Sequence, residues 1–368
     1  MLSQSDLPGR KFIHKHMPSL RLGIVGCGRV TRELHLPALR FVPALKVVAV
    51  ADVDAQRLNA VADDFQIPRR CTDARELFED PEVDAIAVCV PAIAHAELAL
   101  AALAAGKHVF VEKPLALQLS DGERMVAAAK TSGKITTIGF NLRCHRLVRR
   151  AREVIASGAL GPINQVITVL GSGMRYKPEM PSWRRMAETG GGALFEIGIH
   201  HIDLCSFLLQ DQIELVQTFS RSGAWEDESV SLLARSRAGT LISCSFSQVT
   251  SAINEIRMIG DKGVLSFSPF RADSFSIRKV GRHADSWRAR LGRAWRIREF
   301  PELLRVALSG GDYLLSFRKE WSQFAAAVRG EAPPVSSFVD GLIALRVLQT
   351  AAASAASGVP VKVGDPTV

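Results

Sequence analysis

An alternation over the first 140 residues constrains this chain most: short β-branched runs, each followed by a stretch with helical spacing. Leu20 to Val25 ends in Gly26-Cys27-Gly28-Arg29-Val30-Thr31, and Leu34, Ala38, Leu39 and Val42 then recur at helical intervals. Further apolar runs occupy 46–51, 83–90, 108–111 and 134–138, with helical patterns over 54–65 and 95–105. Ser120-Asp121-Gly122-Glu123 reads as a capping box opening one more helix. Apolar strands without polar alternation, set between helices, predict a parallel sheet covered on both faces. A doubly wound domain is expected over 19–140.

The turn after the first strand carries chemistry. Gly26 permits a tight turn, and Gly28 lets the backbone approach a pyrophosphate held at the following helix. Thr31 stands where a third glycine is usual, which implies looser helix–strand packing. Asp52, 24 residues after Gly28, ends the second strand. An acid there accepts from ribose hydroxyls and repels a 2′-phosphate, favouring NAD over NADP; the competing reading makes Asp52 a cap for the helix near Ala55.

Two further clusters follow. Glu112-Lys113-Pro114 comes directly after a buried strand, at the edge where open α/β sheets bind ligands, and Lys113 reads as a proton-handling or substrate-binding residue. Gly190-Gly191-Gly192 predicts a mobile loop leading into a helix that carries Glu196, His200 and Asp203 at i, i+4 and i+7. That spacing places an imidazole between two carboxylates, which would raise its basicity and fix its orientation. His201 points elsewhere and reads as structural.

Charge and cysteine usage exclude other classes. The net charge is +9, but residues 1–21 contribute +3 and residues 271–298 contribute +7, leaving −1 on the remainder. The body is therefore not basic, and no nucleic-acid motif is present. Six cysteines without a C-x-x-C pair argue against a disulfide framework or a metal site and fit a cytoplasmic, reducing setting.

Together these motifs resemble the Gfo/Idh/MocA oxidoreductases, the glucose–fructose oxidoreductase and inositol dehydrogenase family. The resemblance rests on Gly26-Cys27-Gly28, on Ala104-Ala105-Gly106-Lys107-His108-Val109 and on Glu112-Lys113-Pro114-Leu115. It continues through Ser157-Gly158-Ala159-Leu160-Gly161, the triple glycine with Glu196-x-Gly198-x-His200-x-x-Asp203, and a tail with Asp340-Gly341 and Gly358. It implies an α/β protein with an N-terminal Rossmann domain and a C-terminal α/β domain whose open, mainly antiparallel sheet floors the substrate cleft. It further implies a homodimer or homotetramer. Carried over residue by residue, Lys113, His200 and Glu196 are catalytic candidates, with Glu196 standing where many members have Asp. Gly26, Gly28, Arg29, Val30, Asp52, Pro91, His95, Glu112 and Lys113 would line the NAD site. Ala92 replaces the asparagine usual in the Thr-Pro-Asn-x-x-His segment. Asn141, Arg143, Trp183, Arg184 and Asp203 would face the substrate, with Asp203 orienting the His200 ring.

The second half, 141–363, is expected to hold six strands, at 162–170, 214–222, 229–235, 239–249, 255–260 and 263–267. A basic insert over 271–310 repeats Trp287, Leu291 and Trp295 between arginines. It reads as packing on the protein's own surface or a neighbouring subunit, as a membrane-surface or partner-docking helix over 285–300, or as arginines near the cleft that hold a nucleotide-sugar diphosphate. Residues 1–18 are expected to be a flexible extension. The leading functional expectation is NAD-dependent hydride transfer at a secondary alcohol of a sugar, cyclitol or nucleotide sugar. The alternatives are transient oxidation by bound NAD during glycoside cleavage, and a non-catalytic NAD-binding sensor.

Overall fold

The computed structural model describes residues 18–173, 181–280, 306 and 309–364. Trp287, Leu291 and Trp295 of the basic insert lie outside the described residues, as do residues 1–17.

The first sheet comprises β1 (Leu20–Val25), β2 (Leu45–Ala51), β3 (Arg69–Cys71), β4 (Ala85–Val88), β5 (His108–Val111) and β6 (Thr136–Ile138). All neighbours are parallel, in the order β3-β2-β1-β4-β5-β6. The order reverses at β1, and the crevice at the carboxyl ends of β1 and β4 is where such sheets bind ligands. The predicted strands are all present; β3, short and edge-exposed, carries no readable pattern.

The connecting helices are α1 (Leu36–Leu39), preceded by a π-helical turn over Thr31–His35, α2 (Ala55–Phe65), α3 (Arg75–Phe78), α4 (His95–Ala104) and α5 (Leu119–Ser132). The N-terminus of α5 departs from the predicted capping box. Its cap residue is Gln118, and Glu123 is drawn away to Arg346 at 2.8 Å.

After α6 (Arg146–Ala156) the chain enters a second sheet through β7 (Ile163–Gly171), then α7 (Ile199–Leu209). The strands β8 (Ile213–Arg221), β9 (Ser229–Ser236), β10 (Leu241–Ser247), β11 (Ile253–Gly260), β12 (Gly263–Phe267) and β13 (Ser276–Lys279) follow. Helices α8 (Gly311–Val328) and α9 (Phe338–Ser357) precede a last short strand, β14 (Val361–Lys362). The order is β13-β12-β11-β7-β10-β9-β8-β14, antiparallel throughout except for the β7–β10 pair. The six expected strands are there, with β13 and β14 added at the two edges; β13 is formed by the first residues of the basic insert.

This sheet buries alternate side chains under α7 and α9 and leaves the others outward, so Ile167, Leu233 and Leu241 are exposed. Two segments, Ala187–Leu209 and Phe338–Ser357, are long and apolar enough to cross a membrane by length and composition. Both are mostly buried within the fold instead.

The last helices cross the division expected at residue 140. On α8, Phe317, Trp321 and Phe324 share one core with Leu22 and Ile24 of β1 and Phe110 of β5. Helix α9 lies against α5 and β6 as well as β8. The first sheet needs cover on both faces, and α8 supplies part of it from more than 200 residues downstream.

Candidate active site

The turn after β1 has the geometry a dinucleotide requires. Gly26 has φ +100°, and a Cβ there would sit 2.3 Å from the Cys89 carbonyl oxygen. A Cβ on Gly28 would meet nothing within 4 Å, so the backbone borders open space. The looser packing expected from Thr31 is not found. Thr31 is fully buried, and its hydroxyl donates to Gly26 O at 2.6 Å, closing the turn.

Asp52 directly follows β2 and ties the turn, and it is not the cap of α2: that residue is Asp54, whose side chain accepts from Gln56 N and Arg57 N. One carboxylate oxygen accepts from Cys27 N at 2.7 Å, the other from Asp54 N at 2.9 Å, and Arg57 spans both at 3.0 and 2.7 Å. Burial pushes this carboxyl up, but the bonds from Arg57, Asp54 and Cys27 outweigh burial and hold it below the usual carboxylate range. Arg57 was not singled out in the sequence, although a base five residues after the acid falls on the helix face that returns to it. Arg29 and Val30 stand at the surface of the same turn, and Pro91 is exposed at the end of β4.

Two residues expected to touch the cofactor do other work. His95 is almost fully buried, with Nδ1 2.7 Å from Pro114 O and Nε2 2.9 Å from Val90 O. Both ring nitrogens face backbone carbonyl oxygens, of which the neutral ring donates to one, and the ring sits between the β4 loop and the Lys113-Pro114 turn. Glu112 turns inward, with Oε1 2.9 Å from His35 Nε2 and Oε2 accepting from Lys113 N at 3.1 Å.

The segment before α7 changes the expected catalytic alignment. The three glycines admit close packing: a Cβ on Gly191 would lie 2.5 Å from the Arg184 carbonyl, and Gly190 to Gly192 are buried. Close approach of the Arg184 backbone is what Gly191 permits. Leu194–Gly198 is then a π-helical turn, whose extra residue rotates Glu196 away from the α7 face. Glu196 pairs with Arg184 Nη1 at 2.5 Å and accepts from Gln248 Nε2 at 2.7 Å. Gln248 left no signal in the sequence, because a lone glutamine at a strand end is commonplace.

Asp203 does not orient His200 either. Arg143 donates to it through Nε at 3.0 Å and Nη2 at 2.6 Å, and reaches Asp340 and the Val335 carbonyl at 3.0 Å each. Burial raises the Asp203 carboxyl against the pull of Arg143. Asn141 is likewise interior, donating to Ser316 Oγ at 2.9 Å. These three expected substrate contacts are instead the joint between α7, α8 and α9. The Trp183 side chain lies outside the described atoms.

Of the expected site residues, Lys113, His200 and Arg184 stay close to one another. Lys113 Nζ donates to the Glu196 carbonyl oxygen at 2.7 Å. Burial lowers its proton affinity, opposed by Glu112 and Glu196 and assisted by Arg184. His200 falls well below the ordinary histidine value, first through burial and then through Lys113 and His201. This is the reverse of the expected carboxylate-flanked ring: burial and the neighbouring Lys113 disfavour the charged form of His200. Its Nδ1 is buried without a hydrogen-bond partner among the described residues. His201 faces the sheet, 3.0 Å from Asn254 Oδ1.

Comparison with known proteins follows the same two halves. Residues 20–140 match the model of an oxidoreductase family with an NAD-binding Rossmann fold, and residues 148–266 match the GFO/IDH/MocA C-terminal domain. The uncharacterized oxidoreductase YrbE of Bacillus subtilis is 26% identical over 351 residues, 93% of this chain and 96% of its own length. Myo-inositol 2-dehydrogenase of Thermotoga maritima is 29% identical over 211 residues, 57% of this chain and 60% of that protein. The WlbA dehydrogenase of Bordetella pertussis, solved with NADH and UDP-GlcNAcA, superposes with a TM-score of 0.77 at 21% identity. That match covers 94% of this chain and 98% of the other, and is a likeness of fold. With both halves matched in order, the chain belongs to the Gfo/Idh/MocA family of oxidoreductases and carries its NAD-binding Rossmann fold.

Proposed function

We propose that the protein is an NAD-dependent dehydrogenase or reductase acting on a secondary alcohol of a sugar, cyclitol or nucleotide sugar. The observation that carries this reading is the pairing of a cleft lysine, Lys113, with an uncharged imidazole, His200, at the carboxyl edge beside the glycine turn. Bound NAD supplies the hydride acceptor. His200 takes the hydroxyl proton as the C–H electron pair departs as hydride, and its neutral state leaves it ready to do so. Lys113 donates to the same oxygen and steadies the charge that develops there. Glu196, held by Arg184 and Gln248, shapes the wall behind Lys113, and its backbone carbonyl aims the ammonium.

Support for the substrate class comes from the relatives, whose names include an inositol dehydrogenase and a complex with a nucleotide sugar. Asp52 favours NAD over NADP through its place at the end of β2. The outward apolar residues of the second sheet, Ile167, Leu233 and Leu241, support pairing with another copy as a homodimer or homotetramer. All six cysteines are free thiols and five are buried, which supports a reducing, cytoplasmic setting.

The test is a turnover screen over inositols, free sugars, sugar phosphates and nucleotide sugars, following NADH. Lys113→Met should reduce turnover at least about a thousandfold while NADH still binds, since it removes a donor to the reacting oxygen. Wild-type rates in that variant would remove Lys113 from the chemistry. NADH that fails to accumulate while a glycosidic bond is cleaved would instead favour transient oxidation.

A further inference from the structure

Behind Lys113 runs a line of polar groups that the proposed chemistry does not use. It begins on α8, where the Trp321 side chain is completely buried and its indole Nε1 donates to His35 Nδ1 at 3.1 Å. An indole nitrogen only donates, so His35 Nδ1 is the bare nitrogen and the ring proton sits on Nε2. That proton is directed at Glu112 Oε1, 2.9 Å away, while Oε2 accepts from Lys113 N. With both oxygens accepting, Glu112 is an anion. His35 is itself fully buried, edge-on to Phe110, Phe317 and Trp321 at centroid distances of 5.6, 5.2 and 5.5 Å. Room for the carboxylate is left by Gly139, where a Cβ would lie 3.0 Å from Glu112 Oε1.

We propose that His35 and Trp321 are positioning residues that lock Glu112 as a buried anion under the Lys113 turn, so that α8 helps set how tightly Lys113 holds its proton. The proposal rests on the reading of Lys113 as the group that binds the reacting oxygen. The titratable groups facing Glu112 are His35, Lys113, His95 from α4, Cys89 at the end of β4, and Tyr313 and Glu320 from α8. His35 is neutral by its tautomer, and burial keeps His95 uncharged. Burial likewise pushes the Cys89 thiol and the Tyr313 phenol up. Glu320 is fully buried with neither oxygen hydrogen-bonded among the described residues, and burial favours its protonated form. Within this group Glu112 is thus the one anion and Lys113 the one cation. On its cleft side Lys113 feels Glu196 and Arg184, which act in opposite directions. Loss of the Glu112 charge therefore leaves burial to lower Lys113 further.

The experiment reads Lys113 directly and needs no substrate. The full-length protein is acylated with acetic anhydride across a range of pH, and the Lys113 peptide is quantified by mass spectrometry. Glu112→Gln should move the labelling midpoint down by about one pH unit, as expected on removing an adjacent opposite charge. His35→Leu should shift it the same way, because a carboxylate without its donor either takes up a proton or leaves the turn. His35→Gln, whose amide N–H reaches the place of Nε2, should restore the wild-type midpoint. Trp321→Phe keeps the ring but frees Nδ1, and should give a smaller shift in the same direction. A midpoint unmoved in Glu112→Gln, or moved equally by His35→Leu and His35→Gln, overturns the proposal. If His35→Leu does not fold, Glu112→Gln and Trp321→Phe decide alone. Turnover by Lys113→Met tests the functional reading separately, so the two can fail independently.

Discussion

Two stretches of this cleft were equally suggestive as sequence and behave differently as structure. At the carboxyl edge of the first sheet, Gly26, Gly28, Asp52 and Lys113 stand where their spacing placed them. From Gly190 to Asp203, Glu196, His200 and Asp203 were aligned on one helical face, and the structure gives Glu196 to Arg184 and Gln248 and Asp203 to Arg143, so that neither carboxylate meets His200. The difference lies in what fixes each residue. At the sheet edge, the backbone of consecutive parallel strands sets position, and a turn follows each strand end. Along the second stretch, one π-helical turn rotates Glu196 away, and Arg143 claims Asp203 from another part of the chain. Motifs anchored by backbone survive folding; motifs that rely on an uninterrupted helix do not.

The comparison can be broken by testing how much each region depends on its charged groups. The largest effect is expected in the second region. Arg143→Met leaves Asp203 buried without its cation and should cost about 3–5 kcal/mol of stability, read by urea unfolding. A loss below about 1 kcal/mol would mean that the pair behaves like a surface ion pair and that its burial is immaterial.

Next is acid sensitivity. The His201 ring is buried against Asn254, and burial lowers it to about 4. Its unfolded value is near 6.5, so between the two values the unfolded chain binds more protons than the folded one. The contribution is fully present above about pH 6.5 and is lost on acidification, by about 3 kcal/mol at pH 4. His201→Gln should flatten that part of the stability curve, and an unchanged slope would place the acid sensitivity elsewhere.

The smallest effect concerns the first region, where the backbone carries most of the geometry. Asp52→Asn should weaken NADH binding about tenfold and NADPH binding less, measured by fluorescence titration. Equal losses for both would make Asp52 a tie for the glycine turn and nothing more.

Much of the site was legible residue by residue. The Lys113 position followed from a buried strand meeting a Glu-Lys-Pro turn, because an apolar run of four residues fixes where a strand ends. The role of His95 was not legible, since a histidine beside a cofactor loop and one buried between two backbone carbonyls have the same sequence neighbourhood. Nor was the neutrality of His200, which depends on burial and on the absence of a carboxylate partner. Arg57 and Gln248 were missed for different reasons: the first was within reach of helical spacing from Asp52, the second was not.

By itself the sequence determined the parallel sheet, the glycine turn, the acid ending β2 and the alternating strands of the second half. All of these follow from local backbone preference and from periodicity, which act over a few residues. Only the tertiary structure decided which charges meet. Arg143 finds Asp203 across 60 residues and Asp340 across 197, and Trp321 finds His35 across 286. Such pairings are chosen by desolvation: a buried charge or polar nitrogen must be satisfied by whichever partner the packed core brings within reach.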